Sequence, residues 1–170
     1  MADSRQDNVP SAVKTKPITL SVDAMGGDKG PATVVAGLLR FLKDQPTAQV
    51  ILHGRASEIA PALSKSKFGD RIRVVDCPDV VQMTDKPSHV LRHGRGTSMW
   101  SAIHAVKEGE ADVCISCGNT GALMAMSMLQ LRKADGVNRP AIACLWPSRN
   151  EQGFNVMLDA GADIRADQDD

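Results

Sequence analysis

Apolar positions along this chain switch repeatedly between a two-residue and a 3.6-residue rhythm. Ile18, Leu20 and Val22 alternate through ITLSVD and predict a first strand over Ile18 to Asp23. The strand runs into a turn carrying Gly26, Gly27 and Gly30, and Pro31 then stands at the first helical position. Val34, Val35, Leu38, Leu39 and Leu42 fall on one helical stripe, and Pro46 ends the unit. Ala48 to Gly54 reads as a second strand, Ser57 to Leu63 as a short helix capped by Ser57, and Ile72 to Asp76 as a third strand. Strand, helix, strand, helix, strand is the order of a parallel sheet covered by helices on both faces.

From Cys77 to Pro87 the pattern is irregular. Met99, Ala102, Ile103 and Val106 then recur at i, i+3, i+4 and i+7, so a helix is predicted over Ser98 to Glu108, with Thr97 and Ser98 as caps and Gly109 as its stop. The stretch from Ala111 to Leu131 organises the rest. Val113 to Ser116 reads as a short, fully buried strand, 117–121 (CGNTG) as a compact turn, and Ala122 to Leu131 as an apolar helix. Ala141 to Trp146 and Phe154 to Asp159 are further predicted strands. Two strands thus end in glycine-bearing turns that open helices. Such turns aim unpartnered N–H groups outward at the positive end of a helix dipole, which suits an anion. A well-made strand-to-helix corner with no ligand would look the same.

Composition removes several function classes. Twenty basic and twenty acidic residues cancel, and aromatics number three Phe, two Trp and no Tyr. Neither a nucleic-acid footprint nor a stacking platform is indicated. The first sixteen residues are polar and charged, without the apolar core of a signal peptide, and read as a disordered tail before a single α/β unit from 17 to 170. No apolar run approaches the roughly 18 residues of a membrane span. Cys77, Cys114, Cys117 and Cys144 form no complete zinc pattern, and the expectation is ordinary buried thiols in a reducing cytoplasm. If Val113 to Ser116 is a strand, Cys114 and Cys117 begin on opposite faces of it. His53, His89, His93 and His104 lack the spacing of a metal site, so no metal is expected.

The candidate chemistry lies on the rim where turns after parallel strands gather. Neither GGDKG nor GNTG is a dinucleotide fingerprint or a P-loop, so no nucleotide cofactor is expected. Glycines there let backbone amides approach a small anion. Asp28 reads either as a helix cap or as a reactive carboxylate, and Asp23 either orients a loop amide or takes part in chemistry. Between Lys86 and Lys107 there is no acidic residue, and RHGRGTS (Arg92 to Ser98) combines a two-pronged cation with two hydroxyls at a helix start. Met124, Met126 and Met128 read as core packing, or as the wall of an acyl-chain groove.

VDAMGGD (Val22 to Asp28), RGTSMW (Arg95 to Trp100), VKEGEADVCISCGNTGALMA (Val106 to Ala125), RPAIA (Arg139 to Ala143) and LDAGA (Leu158 to Ala162) together resemble the bacterial PlsX family, phosphate acyltransferases of phospholipid synthesis. The resemblance implies a doubly wound, three-layer α/β/α sandwich with a mostly parallel sheet, related to the isocitrate and isopropylmalate dehydrogenases. It implies transfer of a fatty acyl group from acyl carrier protein to inorganic phosphate, in the cytoplasm, by a homodimer that needs no cofactor. It covers the first half of such a protein, so the chain reads as truncated, with the other half completing the site and any peripheral membrane association. On this footing phosphate contacts are expected at Gly26, Gly27, Arg95, Thr97, Ser98 and Gly121. Asn119 and Thr120 are expected at the thioester carbonyl or the phosphate, Asp23 and Asp28 in ordering the first loop, and Lys86 and Arg92 against the acidic carrier protein. A catalytically silent phosphate-binding module, or a metal-dependent hydroxy-acid dehydrogenase relative, are the rival expectations.

Overall fold

The computed structural model describes residues 17–64, 66–137 and 141–158. The expected tail, Arg139-Pro140 and the segment after Leu158 lie outside the described residues. Four parallel strands, β1 (Thr19–Asp23), β2 (Gln49–Gly54), β3 (Ile72–Asp76) and β4 (Val113–Ser116), form one sheet in the order β3-β2-β1-β4. The chain therefore builds outward from β1 in one direction and then returns to place β4 on its other side. That reversal makes the gap between β1 and β4 a topological switch point.

Side-chain alternation fixes what lies on each face. Leu20, Val22, Val50 and Leu52 point to one face and are buried under α1 (Gly30–Asp44) and α2 (Ala56–Leu63), with Val35, Leu38, Leu42 and Ile59 completing that core. Full burial of each such side chain is worth about 1.5–3 kcal/mol. Three more helices, α3 (Pro87–His93), α4 (Ser98–Lys107) and α5 (Thr120–Leu131), pack among themselves. Of these, α4 lies against β1, β2 and β4, and Met99, Ile103, Ala122 and Met126 form a second core that Cys114 joins.

Several expectations need correction. Ser57 does not cap α2: the cap is Arg55, without a side-chain bond, and the Ala56 N–H donates instead to Asp76 Oδ1 at 2.8 Å. A carboxylate at the end of β3 supplies what the local sequence does not. Helix α3 was not expected: it ends at His93, and a 3-10 turn over Gly94–Gly96 joins it to α4. Strand β4 is not fully buried. Val113 and Ile115, in register with Leu20 and Val22, are 37% and 41% exposed. The strand is the edge of the sheet, and helices cover only its Cys114 face. The last two strands, β5 (Ala143–Pro147) and β6 (Phe154–Leu158), pair antiparallel in a hairpin apart from the main sheet. Among the described residues no helix is long and apolar enough to cross a membrane.

Candidate functional site

The two glycine turns meet at the switch point. A Cβ on Gly26 would stand 2.7 Å from the Gly118 nitrogen, 2.8 Å from Ser116 Oγ and 2.9 Å from Asp23 Oδ2, so only glycine allows this approach. Gly27 follows at φ +95°, a backbone state that L side chains rarely adopt.

Asp23 locks the junction. It is 2% exposed at the end of β1, and its Oδ1 accepts from Ser98 Oγ at 2.7 Å and from the Met25 N–H at 3.1 Å. Its Oδ2 accepts from Ser116 Oγ at 2.7 Å, and Ser116 Oγ in turn accepts from the Gly118 N–H at 3.1 Å. One buried carboxylate thus ties together the β1 turn, the start of α4 and the β4 turn. Such charge-assisted bonds are the strong ones, and a buried carboxylate demands them. Thr97 caps α4: its Oγ1 accepts from the Trp100 N–H at 3.2 Å and donates to Gly94 O at 2.7 Å. The hydroxyl protons of Thr97 and Ser98 are therefore spent inside the fold.

Asn119 performs the same office for the second turn. Its Oδ1 accepts from the Ala122 N–H at 3.0 Å, capping α5. Its Nδ2 donates to the carbonyls of Met83 at 3.0 Å and Asp85 at 2.9 Å, and lies 3.3 Å from that of Gln82. The side chain straps the 82–85 loop to the helix start. Pro87 Cγ would stand 3.2 Å from a Cβ on Gly121, which brings neighbouring Lys86 beside the same helix start.

The outer layer is open. Asp28, Lys29, Lys86, Arg92, Arg95 and Thr120 are exposed. Asp28 does not cap α1, whose cap position is Lys29 with no side-chain bond. The N–H groups of Thr120 and Gly121, the first two of α5, have no acceptor within their helix. A polar cavity of about 300 Å³ opens between the first turn and the next loop, lined by Met25, Gly27, Asp28, Val80, Gln82 and Thr84. An apolar groove of about 720 Å³ runs along the exposed side of α1 and β4 and shares Gly27 and Asp28 with the cavity.

The thiols divide. Cys114 faces the second core, and burial, with the Asp23 charge nearby, pushes it up to about 12. Cys77 is likewise raised by burial, whereas Cys117 is exposed on the groove side, contrary to the expectation of a buried thiol. The Met run divides too, for Met126 is core while Met128 is 40% exposed. Among the described residues no three His, Cys, Asp or Glu side chains could jointly hold a metal ion.

Two features escaped sequence reading. Ser116 completes the Asp23 cluster, and a hydroxyl ending an apolar strand was the available signal. A buried network also runs beneath the sheet. Ser21 Oγ donates to Ala102 O at 2.7 Å, so the His53 Nε2–H at 2.9 Å donates to Ser21, and Nδ1 accepts from Ser101 Oγ at 2.8 Å. Burial, followed by the Arg73 charge, lowers His53 from 6.5 to about 4, while Glu110 opposes the shift.

An open parallel sheet whose two glycine turns abut at its switch point defines a doubly wound α/β fold, the kind in which ligands generally bind at the carboxyl rim of the strands. The chain belongs to the family described as fatty acid synthesis protein, which matches residues 18–170. It is 59% identical to a phosphate acyltransferase of Cereibacter sphaeroides over 165 residues, covering 96% of this chain and 45% of that protein. It is 58% identical to a phosphate acyltransferase of a Ruegeria species (96% and 44%), and 59% identical to one of Paracoccus denitrificans (90% and 42%). The chain thus spans less than half the length of these relatives.

Proposed function

We propose that this chain carries the phosphate-binding half of a phosphate acyltransferase, which moves a fatty acyl group from acyl carrier protein to inorganic phosphate in phospholipid synthesis. The observation that carries the reading is the abutment of Gly26 on Gly118 at the switch point, held by Asp23. It brings two amide-bearing turns together, and the first of them lines a polar cavity with the 80–84 loop. The 58–60% identity to proteins named for this activity supports it.

Phosphate supplies its own nucleophile, so no activated serine or cysteine is required. A phosphate oxygen attacks the thioester carbonyl carbon, and the carbonyl oxygen becomes an oxyanion. Collapse then expels the carrier's thiolate, which takes up a proton, and releases acyl phosphate. The protein's task is to hold the anion and meet the developing charge. The Gly26–Gly27 turn and Arg95 hold phosphate, and Thr120 with the Gly121 N–H meets the oxyanion. Asp23, Thr97, Ser98 and Asn119 act as positioning residues, because their polar atoms are engaged within the fold. Asp28 stands at the junction of cavity and groove and orders the turn. Lys86 and Arg92 meet the acidic carrier protein, whose docking is steered by charge. The setting is cytoplasmic and the complete assembly a homodimer, with any membrane contact made by the remainder of the family's length.

The test is acyl-phosphate formation from acyl carrier protein thioester and phosphate, comparing this chain with a form extended to full family length. Activity in the extended form is expected, and Arg95→Ala in that form raises KM for phosphate with little change in thermal stability. Folded protein inactive in both forms, or an unchanged phosphate dependence in Arg95→Ala, contradicts the reading or the Arg95 role respectively. Phosphate binding without turnover in both would leave a silent module.

A further inference from the structure

The first turn carries a carboxylate that a phosphate site has to accommodate. Asp28 lines the polar cavity of about 300 Å³ with Met25 and Gly27, and the 80–84 loop supplies the rest of the lining. It is the one charged side chain of that lining, for Lys29 lines the apolar groove instead. Among the described residues Asp28 has no hydrogen bond or ion pair through its carboxylate. Asp85, at the end of the loop, is by contrast engaged. Its Oδ2 accepts from the Gln82 N–H at 2.8 Å, and its own N–H donates to Gln82 O at 3.1 Å. A free carboxylate repels an anion unless a proton or a cation stands between them. For a cation the ligand set is lacking, since no three His, Cys, Asp or Glu side chains among the described residues could share one. A proton remains.

We infer that this cavity selects its anion by a proton: Asp28 accepts a hydrogen bond from the P–OH of hydrogenphosphate, and donors of Thr84, Gln82 and Gly27 serve the other oxygens. Those donors are available. The Thr84 hydroxyl, the Gln82 side-chain amide and the Gly27 N–H have no acceptor among the described residues. The loop that presents them is held at both ends. The Ser98 N–H donates to Asp79 O at 3.1 Å, and Asn119 Nδ2 holds the carbonyls of Met83 and Asp85. Sulfate matches hydrogenphosphate in shape and, at about pH 8, in charge, but has no proton to offer. Towards sulfate Asp28 is only a repulsive charge, so the cavity takes phosphate and refuses its isostere. A site built to hydrogen-bond a hydroxyl rejects the analogue lacking it more strongly than pocket shape alone allows. This role rests on the phosphate-binding reading proposed above, and it makes Asp28 and Thr84 specificity-determining residues rather than mere neighbours of the turn.

The test titrates this chain with sodium phosphate, sulfate and arsenate at about pH 8 and constant ionic strength. Affinity is read by calorimetry, and the location by the amide shifts of Gly27, Asp28 and Thr84. Phosphate should bind about tenfold or more tightly than sulfate, and arsenate, which keeps a proton at this pH, should follow phosphate. In Asp28→Asn, whose amide can donate to either anion, sulfate gains and the ratio falls to within about threefold. Thr84→Val in that background weakens both anions alike, by about threefold or more. EDTA leaves every affinity unchanged. Equal binding of phosphate and sulfate by the unmodified chain overturns the inference and leaves phosphate binding itself standing. A full preference retained in Asp28→Asn also overturns it, as does phosphate binding lost in EDTA, which places a cation between the two charges. Binding of neither anion overturns it together with the phosphate reading.

Discussion

The inner and outer layers of the rim behave oppositely. Inside, Asp23, Thr97, Ser98 and Ser116 bond one another or the backbone. Outside, Asp28 and Thr120 are exposed on the same two turns. Residues of the same chemical type, a carboxylate and a hydroxyl in each layer, thus do different work according to burial. The inner set pays for its desolvation with hydrogen bonds and fixes the geometry. The outer set remains available to a ligand. A hydroxyl beside a glycine turn is therefore not by itself a phosphate contact; what its proton already serves decides.

The comparison is broken most directly at Asp23. Asp23→Ala leaves the buried Ser98 hydroxyl, the half-buried Ser116 hydroxyl and a backbone N–H without their acceptor, and we expect a loss of about 3–4 kcal/mol in denaturant unfolding. A loss under about 1 kcal/mol would mean that the inner layer is not a lock.

Next comes the buried imidazole below the sheet. With His53 lowered from 6.5 to about 4, the unfolded chain binds a proton that the folded one refuses between those values. Stability therefore falls as pH drops through that window, by up to about 3 kcal/mol, and is unaffected by this group above it. Unfolding curves at pH 7.5 and 5 should show the loss, and His53→Gln should flatten it.

Gly26→Ala sharpens the contact between turns. Its methyl group meets backbone nitrogen, which cannot rotate away, and about 2 kcal/mol of destabilisation is expected together with lost phosphate affinity. The smallest structural effect belongs to the outer layer. Thr120→Val should stay within about 0.5 kcal/mol of the parent in stability, while kcat/KM of the extended enzyme falls about tenfold. The reverse pattern, unstable but fully active, would place Thr120 with the inner set.

Sequence rhythm carried most of the main sheet, because β1, β2, α1 and α4 bury apolar stripes and β3 and β4 keep a short apolar run. Strands β3 and β4 run over the expected residues. Helix α3 was missed because it buries only Val90 and leaves no stripe to read. The α2 cap was misassigned because Asp76 lies 20 residues from Ala56. The same distance problem governs the site. The glycine turns were legible as anion-suited corners, but Asp23 acquires its role from Ser98 and Ser116, 75 and 93 residues away. Asn119 caps α5 through the local Ala122 N–H, whereas its grip on the 82–85 loop is purely tertiary. Exposure of β4 was invisible, since an edge strand and a central one share the same apolar run.

The central claim is that the two abutting turns hold phosphate. At 18.1 kDa the chain suits amide-resolved NMR, and a titration with inorganic phosphate tests the claim most directly. Saturable shifts confined to Gly26, Gly27 and the amides from Gly118 to Gly121, lost in Gly26→Ala, are the predicted result. Shifts centred elsewhere, or none at millimolar phosphate in folded protein, would contradict it.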